Sequence, residues 1–320
     1  MGIGLMLPWA IGYSTLPLIA FYIPQWNHLQ IAISAPLPIF MVAYYFIPEC
    51  PRWLLSKGKV NEAYKILERG ARINGKSAPA LQLENLGDAP KLESKEEKAT
   101  LLDLFRTPNL RKNTLLQYFN WFTTTFIYYG LTLNLESLIP GNIYVNYAIS
   151  GVIEIPAYFT CILILHYFGL RRPLSFMFIS SFVLLMISTV LEEDGSAMMI
   201  VAALGKFGII CVFAIIYLHA AEIFPTVVRT TGLGTCSMFG RFGSMLAPMV
   251  GRELGRVNPI AAIMIFAFMS LFAGIFTLWL PETKGIKTTD TIEEGEAMGK
   301  GQKVCICCSK AQNAANEEHC

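Results

Sequence analysis

The chain of 320 residues is 54% hydrophobic and 15% charged, with a mean hydropathy of +0.48. That composition excludes an ordinary soluble globular protein and an intrinsically disordered one, and points to a polytopic membrane protein. The formal net charge of +2 decides little, because in a membrane protein the position of each Lys and Arg matters more than their sum.

Residues 3–22 form an apolar run with no basic n-region and no small-residue cleavage site, so the segment reads as a helix that stays in the membrane. A polar break at Pro24, Gln25, Asn27 and His28 leads to a second span at 29–47, interrupted by Pro36 and Pro38. Membrane helices tolerate such prolines where neighbours satisfy the freed backbone groups. Residues 48–112 then hold 13 of the 25 Lys and Arg, with nine acidic residues among them. Within this cytosolic loop, Val60–Ile73 has the spacing of an amphipathic helix and residues 94–105 suggest a second short one. Six further apolar stretches follow at 113–135, 143–168, 173–191, 198–220, 230–251 and 259–280, each near the roughly 20 residues that a spanning helix needs. The expectation is an all-α membrane protein of about eight spans, divided as 1–47, 48–112, 113–281 and a polar, disordered tail at 282–320.

Basic residues alternate along the loops. They sit in the 48–112 segment, at Arg171 and Arg172, at Arg229, and at Lys284 and Lys287, whereas the breaks near residues 24, 140 and 194 have none. The positive-inside bias therefore puts both termini in the cytosol, with Arg252 and Arg256 as the exceptions. The eight cysteines show no disulfide pattern. Cys305, Cys307 and Cys308 in the tail offer acylation or metal binding beside the plainer reading of an unmodified tail. No nucleophile constellation, phosphate loop or metal-ligand spacing indicates an enzyme or a cofactor. The spread of basic residues along membrane edges does not form a nucleic-acid footprint.

Three charges fall inside apolar spans. Arg241 lies near the middle of 230–251, where a cation costs a few kcal/mol and faces a bundle interior or a water-filled cavity. Two readings stand: a structural ion pair with a neighbouring carboxylate, or a charged wall of a substrate pathway, with Ser237 one turn before it as a further donor. Glu154 and Lys206 can offset each other's insertion cost as a structural pair, or act as a gate if they pair in one state only. The span 113–135 is rich in aromatics, Tyr118, Trp121, Tyr128 and Tyr129 among them; they serve either helix packing or the recognition of a cation by ring faces.

Several short stretches carry a family resemblance. PECPRWLL at 48–55, LRRP at 170–173, AEIFPTVVR at 221–229 and LPETKG at 280–285 resemble signatures of the major facilitator superfamily and its sugar-porter branch. NWFTTTFIYYGL at 120–131, EIPAY at 154–158 and GKFG at 205–208 are more similar to the organic cation, anion and carnitine transporter family. The resemblance implies a twelve-helix plan of which this chain carries helices five to twelve, as an N-terminally truncated member. It implies alternating access in the plasma membrane around a cavity lined by the helices at 113–135, 143–168, 198–220 and 230–251. It implies Trp121, Tyr128, Tyr129, Arg241, Ser237 and Tyr118 as substrate-binding residues, Glu154 and Lys206 as gating charges, and Glu49, Arg52, Arg171, Arg172, Glu222 and Arg229 as a cytosolic latch. A base at position 241 favours a carnitine-like zwitterion or an organic anion over a simple organic cation. The expected partners are a small organic ion and the lipid bilayer, with a coupling ion or full-length carrier subunits besides. A non-transporting protein that associates with full-length carriers, and a sugar-porter-like carrier, are the alternatives. The resemblance also leads to a glycine before the paired arginines, where this chain has Leu170.

Overall fold

The computed structural model describes residues 6–44, 46–49, 51, 54, 59–76, 101–138, 143–191, 195–285, 289 and 291–299. These fall into two units, one of Met1–Tyr22 with Ala99–Cys320 and one of Ile23–Lys98. Among the described residues the regular structure is helical.

In the smaller unit, the second expected span is two helices, α2 (Trp26–Ser34) and α3 (Leu37–Tyr44). The break falls at Pro36, which has no N–H to continue the ladder. Helix α4 (Val60–Ile73) is the predicted amphipathic segment, with Glu62 in its first turn and Arg72 in its last, each charge matched to the helix dipole. Its ion pairs, Lys59 to Glu62 at 3.4 Å and Arg72 to Glu68 at 3.7 Å, are exposed and add little stability.

The larger unit contains α1 (Leu7–Tyr22), the single turn α5 (Asp103–Arg106), α6 (Pro108–Leu138), α7 (Ile143–Val152), α8 (Glu154–Phe168), α9 (Arg171–Val190), α10 (Gly195–Ile223), α11 (Arg229–Pro248), α12 (Pro259–Thr277) and α13 (Ile292–Ala297). Four stretches are long and apolar enough to cross a membrane: Tyr144–Phe168, Arg171–Val190, Ile200–Ile223 and Ile260–Thr277. Helices α6 and α11 are long but polar for spans. The first carries Asn113, Gln117, Asn120 and three successive threonines, all buried, and the second carries Arg241 among small residues.

The polarity of α6 faces inward and holds the helices together. Helix α6 packs most extensively on α11 and also meets α10 and α12, while α9 lies between α10 and α12, and α1 packs on α7 and α8. The Asn120 amide donates to the Thr277 hydroxyl at 3.0 Å, joining α6 to α12. Gln117 and His219 are 3.2 Å apart, and the other ring nitrogen of His219 is 3.2 Å from the Pro281 carbonyl. The imidazole therefore donates from Nε2 to Pro281 and accepts at Nδ1 from Gln117. At the α6–α11 crossing, Thr125 donates to the Gly240 carbonyl at 2.6 Å. A Cβ on Gly243 would lie 2.3 Å from the Phe122 carbonyl oxygen, so only glycine permits this approach.

Two loops pack onto the end that carries the paired arginines. Gly169, at φ +83°, turns the chain from α8 into α9, supplying one residue earlier the turn expected from a glycine at position 170. The Glu282 carboxylate accepts from the backbone N–H groups of Leu170 at 3.1 Å, Thr283 at 3.2 Å and Lys284 at 3.4 Å. The Lys284 ammonium donates to the Tyr167 carbonyl at 2.7 Å, at the C-terminus of α8. Part of the tail also differs from the disordered segment that its composition suggests. Thr291 caps α13, and the Glu296 carboxylate accepts from the N–H groups of Asn109 and Leu110 at 2.9 and 3.1 Å, capping α6. Cys305, Cys307 and Cys308 lie outside the described residues.

Candidate functional site

Helices α6, α8, α10 and α11, with the start of α1, surround a cavity of about 430 Å³. Helix α6 contributes Trp121, Thr125, Tyr128 and Tyr129, three of them aromatic. Their spacing of one turn or less along a helix places them on one side. Helix α10 adds Phe213 and Tyr217, also one turn apart, and α8 adds Tyr158. Helix α11 closes the wall with Ser237, Gly240, Arg241 and Ser244; Trp9 of α1 and Met6 just before it complete the lining.

The aromatic wall is a connected set. Trp121 and Tyr217 meet with ring centroids 4.4 Å apart at 62°, Tyr128 and Tyr129 at 5.3 Å and 88°, and Phe213 lies 5.4 Å from Tyr128 and 5.5 Å from Tyr217. Edge-to-face and tilted contacts of this kind hold the rings in fixed orientations. On the same cavity the Arg241 side chain is exposed, and among the described residues it has no hydrogen-bonding or ionic partner. The reading in which Arg241 pairs with a neighbouring carboxylate thus finds no such carboxylate among those residues. Ser237 is half-buried on the same wall.

Behind the rings lies a buried polar cluster. Glu154 is fully buried at the start of α8 and accepts hydrogen bonds from the Tyr128 hydroxyl and, at 3.3 Å, from the Tyr158 hydroxyl. Both tyrosines line the cavity. Lys206, 1% exposed, donates to Ser150 and lies 5.7 Å from the Tyr128 ring and 5.9 Å from the Tyr13 ring. It also acts electrostatically on Glu154. The two intramembrane charges therefore belong to one cluster, and through Tyr128 that cluster touches the cavity wall.

Five of the six expected substrate residues, Trp121, Tyr128, Tyr129, Ser237 and Arg241, line this one cavity. Tyr118 does not. It stacks on Phe239 at 4.2 Å and 13° and donates to Thr235 at 2.8 Å, so it serves the α6–α11 contact. Tyr158, Phe213, Tyr217 and Trp9 line the cavity without having been singled out by the sequence. A tyrosine in mid-span carries a hydroxyl in need of a partner, and that was the available signal for Tyr158 and Tyr217.

The expected latch residues are spread over several contacts. Arg171 is buried and donates to the Leu280 carbonyl at 3.2 Å, beside the Glu282 turn. Arg229 donates to the Phe224 carbonyl at 3.1 Å. Glu222 is half-buried, and the Arg229 charge acts on it electrostatically. Glu49 is exposed and Arg52 lies outside the described residues.

The profile of the family described as sugar (and other) transporter matches residues 3–294. The chain is similar to the organic cation transporter protein of Drosophila melanogaster, with 37% identity over 307 residues, covering 93% of this chain and 56% of that protein. It is also similar to solute carrier family 22 member 3 of Mus musculus, with 34% identity over 303 residues, covering 94% and 54%. Organic cation transporter 1 of Caenorhabditis elegans is 38% identical over 294 residues, covering 89% and 49%. The chain thus spans about half the length of the curated relatives it matches. Among solved structures it resembles the proton:xylose symporter XylE bound to 6-bromo-6-deoxy-D-glucose, with a TM-score of 0.56 and 23% identity over 85% of this chain and 58% of that one. The inward-open xylose transporter XylE of E. coli gives 0.51 and 19%, over 90% and 62%. At that identity the likeness is one of fold.

Proposed function

The chain belongs to the sugar (and other) transporter family of the major facilitator superfamily, and on that premise we propose that it is a secondary carrier of small organic ions, working by alternating access around the cavity between α6, α8, α10 and α11. The observation that carries this reading is an aromatic wall and a guanidinium without a partner among the described residues, lining one cavity of about 430 Å³. An aromatic face gives a desolvated quaternary ammonium about 2 kcal/mol. Arg241 offers a carboxylate two parallel, charge-assisted hydrogen bonds. A small zwitterion of the carnitine type satisfies both walls at once, an organic anion satisfies Arg241 alone, and a simple organic cation satisfies only the rings. Two of the relatives are named organic cation transporters, which supports the cationic group that the rings would hold. The sugar-carrier alternative draws on fold likeness alone.

Trp121, Tyr128, Tyr129 and Ser237 would hold the substrate, with Glu154 and Lys206 as a buried charge cluster able to differ between states of the carrier. Rocking of one helical half against another around a central site is the motion the fold uses. A second reading, association with a full-length carrier, draws on the fact that the chain spans about half the length of its relatives. Uptake of labelled carnitine, a dicarboxylate and tetraethylammonium into cells expressing this chain, alone and beside a full-length relative, tests both. Carboxylate uptake that Arg241→Asp abolishes supports the carrier. No uptake by the chain alone, with altered uptake by the co-expressed relative, supports the second reading.

A further inference from the structure

A second cavity, of about 420 Å³, lies at the end of the bundle that carries the paired arginines, between the C-termini of α8 and α12 and the N-terminus of α9. Its walls are Ile164, Phe168, Phe176, Ile179 and Leu278, with Arg172 at its edge. The wall is apolar for a local reason. The one hydroxyl that reaches it, on Ser175, donates to the Gly274 carbonyl at 2.8 Å in the α9–α12 crossing. Phe168 and Phe176 stand 62% and 65% exposed on two stretches long and apolar enough to span a membrane, so the cavity opens toward lipid.

Among the described residues, Arg172 is the one charge on this hydrocarbon surface. It is half-buried, and among the described residues its guanidinium has no hydrogen-bonding or ionic partner. Among the described residues no hydrogen bond or ion pair joins it to the neighbouring Glu282, whose carboxylate accepts from the backbone N–H groups of Leu170, Thr283 and Lys284. The neighbouring cations are committed too, Arg171 to the Leu280 carbonyl and Lys284 to the Tyr167 carbonyl. What remains is a hydrocarbon slot with a single free guanidinium at its mouth, at the membrane edge that the distribution of Lys and Arg assigns to the cytosol.

We propose that this cavity is a binding site for an anionic glycerophospholipid, with an acyl chain in the slot and the phosphate on Arg172. A soluble polar ligand would leave its own donors and acceptors unpaired against these walls. A lipid without net charge would leave the guanidinium unpaired. Basic pockets between membrane helices on the cytosolic side take anionic headgroups for these reasons. The site is separate from the substrate cavity, so it is tested without transport.

The test is native mass spectrometry of the full chain in detergent, incubated with phosphatidylglycerol or phosphatidylcholine. The wild-type chain retains phosphatidylglycerol about fivefold better, the preference that one basic residue confers beside an anionic lipid. Arg172→Gln removes the preference and Arg172→Lys keeps it. Ile179→Trp, which fills the slot, lowers retention of both lipids. Because Arg172 is half-buried and, among the described residues, binds no protein group, its variants leave the fold intact, which a gel-filtration profile verifies. Equal retention of the two lipids by the wild-type chain overturns the proposal, as does a preference that survives Arg172→Gln. Competition by glycerol phosphate as effective as that by the whole lipid also overturns it, since it would mean that the headgroup alone is recognised.

Discussion

Replacing Gly243 with alanine tests how the cavity wall is built. The added Cβ would lie 2.3 Å from the Phe122 carbonyl oxygen, 2.6 Å from the Thr125 hydroxyl and 3.1 Å from the Phe126 nitrogen, whereas ordinary contact begins at 3.4 Å. Two of those three atoms are backbone, so no rotamer change relieves the overlap and α11 must move away from α6. Overpacking of this kind costs about 1–3 kcal/mol. Separation also weakens the 2.6 Å bond from Thr125 to Gly240, and an interhelical hydrogen bond in a membrane protein is worth about 0.6 kcal/mol. The expected loss is therefore about 2–3 kcal/mol. Gly234 on the same helix has nothing within 4 Å of its would-be Cβ, so Gly234→Ala carries only the propensity gain of about 0.5–1 kcal/mol. Thermal unfolding of the two variants in detergent separates packing from propensity. If Gly243→Ala melts with or above Gly234→Ala, the close crossing and the wall geometry that rests on it are wrong.

Other expectations follow from single contacts. Glu154→Gln and Lys206→Met each remove one buried charge of the cluster and should each lower the melting temperature; the double variant should cost clearly less than their sum in a thermal-melt cycle, and strict additivity would mean that the two charges are uncoupled. Gly169→Ala forces a φ of +83° on a residue with a Cβ and brings it 2.8 Å from Glu282, so the melting temperature should fall by the equivalent of about 1–2 kcal/mol; an unchanged melt would refute the turn. Glu296→Ala uncaps α6 and should expose residues 289–299 to protease, with a loss of about 0.5–2 kcal/mol; unchanged cleavage would mean that the tail helix is held by other contacts, Gly295 against Pro225 first among them.

How much of this was legible in the sequence depends on which signal each feature carries. Hydropathy located the apolar runs, and Arg241 was visible because a cation in mid-span has few innocent explanations. The aromatic residues of α6 could be named, but their roles could not be separated. Tyr118 and Tyr128 sit in one span, and only the neighbouring helix decides that the first packs on Phe239 while the second reaches Glu154. Phe213 and Tyr217 lie on α10, which is apolar all round, so no periodicity distinguishes its cavity face from its other faces. The contribution of α1 to the cavity depends on contacts between residues more than a hundred positions apart, and local pattern does not report those. The tail helix was missed because six residues, three of them glutamate and one glycine, read as loop until Thr291 is seen to cap them and Glu296 to cap α6.

The central claim is that Arg241 recognises a carboxylate in a cavity with an aromatic wall, and equilibrium binding tests it most directly because it needs no transport. Labelled carnitine and tetraethylammonium are titrated onto the purified chain and its Arg241→Asp form. Loss of a charge-assisted hydrogen bond of about 1.5–3 kcal/mol should weaken carnitine binding about tenfold to a hundredfold or more, while tetraethylammonium binding holds or tightens. Carnitine binding that is indifferent to Arg241→Asp, or two ligands that weaken together, would contradict the account.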